Sequence, residues 1–269
     1  MNVSGVLGIL IGLVAILGSQ IFESGSIRSM IHPPAALIVI GGTFGAAFLN
    51  FSISTIINAF RSAKSVFLDE QNYLIETVQQ IVYLAHLARR EGLLALNAVA
   101  EQITDPFLRR GAQLAVDITN PQLLQEILTT EINLDEEQEL IYSRVFESLG
   151  GYAPTFGIVG AVLGLIQVMS HLENPVQLGH GIATAFVATL YGVGLANLIF
   201  LPIAGKLKMK LREKILLKEM IVHGLISIQM GENPAIIEEK LITFLKFSNR
   251  QNAMPASYDD DPVGISQMR

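Results

Sequence analysis

The sequence predicts an all-α polytopic membrane protein, with four transmembrane helices and a large helical cytoplasmic domain between spans two and three. Four long apolar stretches contain no Asp, Glu, Lys or Arg, and they cover residues 3–22, 35–57, 154–172 and 181–204. About 20 apolar residues are enough to cross a bilayer. Only 16% of the 269 residues are charged, whereas soluble domains average about 25%.

Composition excludes several classes of function. The net charge of −6 argues against nucleic-acid binding. The absence of Cys excludes disulfides, thiolate chemistry and cysteine metal sites. The apolar N-terminus lacks the basic region and the small-residue cleavage site of a signal peptide, so we expect it to remain as the first span.

Orientation follows from the placement of Lys and Arg, which are enriched on the cytoplasmic side. Arg61 and Lys64 follow span two, and five basic residues lie in 206–214 after span four. The connector between spans one and two contains only Arg28, and the one between spans three and four contains no Lys or Arg. We therefore expect both termini and the middle segment to be cytoplasmic.

The middle segment, residues 58–151, is predicted to be a domain of short helices. Asp105-Pro106 and Asn120-Pro121 indicate helix starts, because Asx residues cap helices and Pro fits the first turn. Apolar residues at helical spacing form one face, which Gly92 interrupts: Leu74, Val78, Val82 and Ala85. The acidic residues 135–137 suit the first turn of a helix that continues towards span three.

The C-terminal region is predicted to be helical and then disordered. Residues 206–214 alternate charged and apolar side chains, but continuity with span four favours a helix. Asn233-Pro234 starts another helix that ends near Phe247. The polar tail is expected to be disordered. The predicted domains are spans one and two in 1–57, the cytoplasmic domain in 58–151, spans three and four in 152–204, cytoplasmic helices in 205–247 and the tail in 248–269.

Two prolines lie at matching depths in spans three and four. Pro154 follows two glycines and indicates either a hinge or simple helix initiation, and the sequence does not separate these readings. Pro202 near the cytoplasmic end of span four suggests that the two prolines share a ring or gate. The small-xxx-small spacing of Gly157, Gly160 and Gly164 permits close helix approach, although it is common in membrane helices.

Each polar or charged side chain, taken alone, is explained by an ordinary structural role and does not indicate a function. The polar groups of span four, Thr184, Thr189, Tyr191 and Asn197, are most simply bonded to their own helix. The cluster Arg89, Arg90 and Glu91 is either a docking surface or a solvated face, and the solvated face is favoured. No His shows metal-ligand spacing, and no catalytic residue, metal site or cofactor site is expected: His32, His86, His171, His180 and His223 are scattered.

Four segments resemble the flagellar motor stator A subunits, the MotA/PomA family. They are HPPAALIVIGGTFGA, ARREGLLAL, APTFGIVGAVLGLI with the following Asn174-Pro175, and ATLYGVGLANLIFLPIAGKL with HGLISIQMGENPAIIEEKL. Together they cover about residues 30–245. The resemblance implies a ring of A subunits, expected to be a pentamer, around a MotB/PomB-type B subunit dimer in the bacterial inner membrane. The membrane Asp of the B subunit would carry the ion.

The resemblance also implies roles for particular residues. Pro154 and Pro202 match the family's two functional prolines, and Arg89 matches its residue facing the rotor protein of the switch complex. Arg90 and Glu91 adjoin it. Asn97 stands where many members have an acidic residue, and Glu101 lies one turn later. The ion pathway that the resemblance implies includes Thr189, Tyr191, Ala161 and Ala188. The two alanines are replaced by Thr in sodium-type members. The proton is therefore favoured as the transported cation, with sodium as the alternative.

Three other readings remain open at this point. An ExbB/TolQ-type energiser shares the ring-around-a-dimer arrangement but usually has three spans. A self-sufficient secondary transporter needs its own coupling site at mid-membrane and paired repeats, neither of which is evident. A passive membrane scaffold is disfavoured only mildly, by the paired prolines.

Overall fold

The computed structural model describes residues 30–64, 73–173 and 175–251, together with isolated positions between residues 7 and 22. Every regular element in these ranges is a helix, which confirms the all-helical class. Most of predicted span one, residues 23–29 with Arg28, Asn174 and most of the predicted tail lie outside the described residues.

Eight helices account for the described ranges. Two of them each contain one π-helical turn, at Leu37–Gly41 in the first and at Ala196–Phe200 in the seventh. Their bounds are α1 Pro33–Asn50, α2 Ile53–Ala63, α3 Tyr73–Glu91, α4 Ala95–Ala100, α5 Pro106–Asp117, α6 Pro121–Ser170, α7 Pro175–Gln229 and α8 Pro234–Gln251.

Within the described residues, three helices are long and apolar enough to cross a membrane: α1, α6 and α7. They contain predicted spans two, three and four. The fourth predicted span, at residues 3–22, lies mostly outside the described residues, so this finding does not test it.

The chain forms two compact units. The first consists of Met1–Asp69 and Glu139–Lys208, and the second of Glu70–Gln138 and Met209–Arg269. The first contains the apolar spans, and the second contains most of the predicted cytoplasmic residues. The long helices α6 and α7 each contribute residues to both units.

Predicted span two is too long at its C-terminal end. The helix ends at Asn50, Phe51 is extended, and α2 begins after Ser52. The Ser52 hydroxyl accepts a hydrogen bond from the amide of Thr55 at 3.2 Å, which satisfies a free amide of the new helix. The isoleucines of α2 extended the apolar run in the sequence, although they belong to a separate amphipathic helix.

The acidic residues 135–137 do not begin a helix, contrary to the prediction. They lie inside α6, which has no Gly or Pro between Pro121 and Gly150 to interrupt it. Asp135 pairs with Lys218 at 2.5 Å, and this ammonium also lies 5.1 Å from the ring centroid of Phe107. The charge of Asp135 therefore stabilises a contact between α6 and α7. The predicted continuation of this helix into span three is confirmed.

The core of the first unit joins four helices. Phe146, Leu149 and Ala153 of α6 are fully buried against α7, α1 and α2. Aromatic rings link these elements, with centroids 5.0 Å apart for Phe60–Phe146 and 6.1 Å for Phe44–Phe60. The amphipathic helix α2 thus packs on the spans through its Ile56 and Ala59 face.

The second unit is built as its helix-start signals predict. Asp105 accepts from the Leu108 amide at 2.7 Å, Asn120 from the Gln122 amide at 2.9 Å and Asn233 from the Ala235 amide at 3.2 Å. The buried side chains on its helices include Ile81, Leu84, Leu96, Leu108, Leu128, Met220, Leu225 and Ile237. The predicted face of α3 is rotated, since Leu74 and Val82 are only half-buried.

Two glycines with positive φ end helices in the second unit. Gly92, at φ 85°, ends α3 as predicted, and Gly231, at φ 72°, ends α7. After Gly231, the Glu232 amide donates to the Ser227 carbonyl at 3.1 Å, which closes the last turn of α7. Helix α8 then continues to Gln251, four residues beyond the predicted end near Phe247.

Candidate functional site: a helix crossing and a charged corner

The first candidate site is the crossing of α6 and α7, where the two backbones touch. A Cβ atom at Gly164 would lie 2.6 Å from the Gly181 carbonyl oxygen, and one at Gly192 would lie 2.5 Å from the Ala153 carbonyl oxygen. Such distances leave no room for a side chain. The predicted close helix approach is confirmed, and Gly181 and Gly192 supply the half of the contact that the sequence analysis did not single out.

Pro154 lies inside α6, which continues through it in both directions. Helix initiation is therefore excluded as its role. Pro has no amide hydrogen, so the carbonyl of Gly150 loses its usual helical donor. A Cβ at Gly150 would lie 2.6 Å from Cδ2 of Leu201, the residue before Pro202. The weakened turn of α6 thus lies beside Pro202, in agreement with the matching depths predicted for the two prolines.

The other proline follows an irregular turn of α7. The π-helical turn Ala196–Phe200 closes with a hydrogen bond from the Leu201 amide to the Ala196 carbonyl, and Pro202 is exposed immediately after it. Proline and π-helical turns are two recognised causes of helix bending. Both helices of the crossing therefore have a weak point at the same level.

The predicted ion-pathway residues have different environments in this single chain. Ala188 is fully buried, and its Cβ lies 2.5 Å from where a Cβ at Gly160 would be. Ala161 is half-buried, whereas Thr189 is exposed, although its Cα atom lies 3.4 Å from where a Cβ at Gly157 of α6 would be. The Thr189 hydroxyl donates to the Ala185 carbonyl at 3.1 Å, so it bonds to its own helix, as Thr184 and Asn197 also do.

Tyr191 differs from the other polar groups of α7. Its hydroxyl donates to the Met30 carbonyl and accepts from the His32 amide at 3.2 Å. It therefore holds the segment that precedes α1 against α7. The prediction that its hydroxyl bonds to its own helix is wrong, because chain segments 159 and 161 residues apart meet here.

Polar contacts also flank the prolines. The Asn50 side-chain amide donates to the Tyr152 hydroxyl, which ties the end of α1 to α6. Lys208 pairs with Glu147 at 2.7 Å, which joins α7 to α6 beyond the two prolines. The described parts of the apolar spans contain no Asp, Glu, Lys or Arg.

The second candidate site is the corner between α3 and α4, in the other unit. Arg89 and Arg90 lie in the last turn of α3, where the helix dipole favours positive charge. Arg90 pairs with Glu91 at 3.4 Å, but the two side chains are 73% and 56% exposed. Exposed pairs of this kind contribute little to stability. The charged side chains of the corner therefore remain accessible to a binding partner.

The remaining predicted rotor residues lie beside this turn. Asn97 is exposed on α4, and Glu101 is exposed at its C-terminal end. Leu96 and Ala100 bury the opposite face of α4, and all five predicted residues are exposed on α3 and α4 or at the end of α4. Leu94, 77% exposed in the turn itself, was not singled out by the sequence analysis.

Comparison with known proteins identifies the family. A profile described as the MotA/TolQ/ExbB proton channel family matches residues 99–220, and one described as motility protein A N-terminal matches residues 6–92. Motility protein A of Bacillus subtilis is 35% identical to the chain over 93% of each sequence. The chain belongs to the MotA family.

Solved structures of MotA-family complexes share the fold. The Campylobacter jejuni MotAB structure matches with a TM-score of 0.85, at 30% identity over 100% of both chains. The flagellar MotAB stator complex of Bacillus subtilis matches with a TM-score of 0.83, at 35% identity over 92% of this chain and 98% of that one. MotA-family proteins are stator channel subunits and not enzymes.

Proposed function

We propose that the chain is the A subunit of a bacterial flagellar stator, which forms an ion channel with a B subunit and converts ion-motive force into torque. The observation that carries this proposal is the match to MotAB complexes along almost the entire chain. The motility protein A match in residues 6–92 favours a flagellar role over an ExbB/TolQ-type energiser.

The proposed channel needs its titrating group from the partner. The described spans contain no acidic or strongly basic side chain, and an ionised group at membrane depth is costly unless it is paired or hydrated. A membrane Asp of the B subunit would supply the site. Protonation removes its charge and hence the cost of burying it, which changes the packing favoured by the surrounding helices.

The helix crossing is suited to respond to such a change. The small residues keep α6 and α7 in contact, while Pro154 and the turn before Pro202 weaken both helices at one level. We propose that the two helices bend there between two arrangements, so that the prolines act as hinge and gate. Thr189, exposed on α7, would face the B subunit or a water beside its Asp.

The proton is the proposed ion. Sodium needs several oxygen ligands after it loses its water, whereas a proton needs only a carboxylate and a water path. Ala161 and Ala188 supply no hydroxyl oxygen, and Ala188 packs tightly against Gly160. The described spans thus offer few ligands for a dehydrated sodium ion.

The proposed assembly is a pentameric ring of A subunits around a B subunit dimer in the inner membrane, with both termini cytoplasmic. The basic residues after spans two and four support this orientation. Helices α3 and α4 would then present Arg89, Arg90 and Glu101 to the rotor protein of the switch complex. Charge attraction speeds such an encounter and is screened by salt, as suits a contact made and broken repeatedly.

Swimming provides the test of this function. The chain should be expressed with its B subunit in a strain that lacks its own stators, and swimming speed should be recorded while external sodium is replaced by potassium. We expect motility that persists without sodium and stops with a proton uncoupler. Motility that needs sodium but survives the uncoupler would refute the proton assignment, and failure of an assembled complex to restore any rotation would refute the stator role.

A further inference from the structure

Two histidines that are far apart in sequence meet where the chain enters α1. The rings of His32, directly before α1, and His180, on α7, have centroids 4.6 Å apart and are tilted by 43°. His32 is only 7% exposed, whereas His180 is exposed. Neither shows metal-ligand spacing in the sequence, because 148 positions separate them.

The hydrogen bonds around His32 favour one tautomer of its ring. The Thr184 hydroxyl donates its single hydrogen to the His180 carbonyl at 2.9 Å, so its oxygen can only accept from Nε2 of His32, which lies 3.4 Å away. This arrangement favours the neutral His32 tautomer with its proton on Nε2. Nδ1 is then a bare lone pair, and it is buried without a hydrogen-bond partner.

A buried acceptor without a donor is unfavourable, and it requires an explanation. An unprotonated imidazole nitrogen is also what zinc-class cations bind. The second imidazole, His180, is exposed and gives a cation access from outside the helices. Two imidazoles in contact can approach one cation, because zinc–nitrogen distances of about 2.0–2.1 Å place the two donor atoms close together.

The surroundings hold this pair in place before any cation binds. The Tyr191 hydroxyl fixes the backbone of residues 30–32 through Met30 and the His32 amide. His180, Thr184 and Tyr191 follow one another at helical spacing on one face of α7, so a single rigid helix supports all three contacts. Preorganisation of this kind reduces the cost of assembling a site.

We propose that His32 and His180 form a binding site for a zinc-class divalent cation, with one imidazole nitrogen from each residue and water completing the coordination. The described residues contain no cluster of three or more His, Asp or Glu that could hold a metal. The site is thus a two-histidine site of moderate affinity. A bound cation links the segment before α1 to α7 and restricts their relative movement.

Zinc binding to the purified full-length chain tests the proposal, using an affinity tag without histidine. Titration calorimetry should find one Zn²⁺ per chain, and His180→Gln should raise its Kd by about tenfold or more. His171→Gln is the matched control, because His171 is exposed at the end of α6 and bonds to its own helix. Since His180 is exposed, its substitution should not impair folding, whereas His32→Gln serves as a second variant wherever it folds.

A Cu²⁺ probe reports how many imidazole nitrogens coordinate the cation. With Cu²⁺ as the probe, electron paramagnetic resonance should show splitting from two imidazole nitrogens, and from one after His180→Gln. The proposal is overturned if the unmodified chain binds no Zn²⁺ below about 1 mM, if His171→Gln weakens binding as much as His180→Gln, or if the copper spectrum shows fewer than two nitrogens. The test does not depend on stator function, since both ligands belong to this chain.

Discussion

Gly150 of α6 packs so closely on Leu201 of α7 that a Cβ at residue 150 would lie 2.6 Å from the Leu201 Cδ2 atom. This contact lies beside both prolines, where the two helices are weakest. Gly150→Val should therefore strain the crossing by about 1–3 kcal/mol and reduce swimming speed at normal protein levels. Gly151→Val is the control, because its Cβ would meet no atom within 4 Å.

A compensating change makes this prediction sharper. Leu201→Ala removes the atoms that a Val at residue 150 would strike, so the double variant should recover part of the lost motility. Contacting residues are expected to show such coupling, whereas independent sites are additive. Equal losses from Gly150→Val and Gly151→Val would show that the contact with Leu201 does not matter.

Pro154→Ala and Pro202→Ala test the proposed bending. Each restores an amide hydrogen and should straighten its helix, so we expect motility to be lost while membrane insertion and B subunit binding persist. Pro234→Ala serves as the control, because Pro234 only begins α8. Copurification of the B subunit and a motility assay give the two readouts. A fully motile Pro202→Ala strain would leave no gating role for that proline.

Charge reversal tests the corner between α3 and α4. Arg89→Glu should impair torque, because it replaces attraction to an acidic rotor surface by repulsion, and an opposite reversal on the rotor should restore part of it. Asn97→Ala should have a smaller effect, since a neutral amide contributes little long-range attraction. Bead rotation measures the torque. If no rotor reversal rescues Arg89→Glu, the corner is only a solvated surface.

The corner between α7 and α8 should depend on pH through Glu232. A hydrogen bond from Lys240 holds the pKa of Glu232 below its usual range, with a smaller contribution from Ser227 and opposition from burial. A lowered pKa means that the stabilisation is present above the unfolded pKa of about 4.3 and is lost as the pH falls through the folded value. Glu232→Gln should thus lower the free energy of unfolding by about 0.2–1 kcal/mol at pH 7.

Thermal unfolding between pH 3 and pH 7 measures this difference, which should decrease towards the acidic end. Glu238→Gln provides the control, because Glu238 is exposed on α8, the helix that also contains Lys240. A Glu232→Gln effect that is constant across this range would show that the lost interaction does not depend on the charge of Glu232.

Local signals in the sequence were sufficient for much of the fold. The Asx-Pro pairs marked three helix starts because capping depends on neighbouring residues. Hydropathy located three long apolar helices because it also depends on neighbouring residues. It did not reveal that Ser52 caps a new helix inside an apolar run. The acidic residues 135–137 were misassigned because the ion pair of Asp135 is made with Lys218, which lies on a helix distant in sequence.

The site was less predictable because it depends on how helices align. The glycines of α6 indicated close approach, but Gly181 and Gly192 became its partners only through the register of the crossing. The role of Tyr191 and the meeting of His32 with His180 likewise need a chain fold that no spacing reveals. The exposed corner was predictable because its residues are close in sequence.

The central claim is that this chain conducts ions only together with a partner that supplies the titrating acid. Proton uptake should be measured in vesicles containing the purified chain alone, the chain with its B subunit, and the chain with a B subunit whose membrane Asp is replaced by Asn. We expect flux only in the second case, because the described spans contain no Asp, Glu, Lys or Arg. Flux through the chain alone would contradict the account.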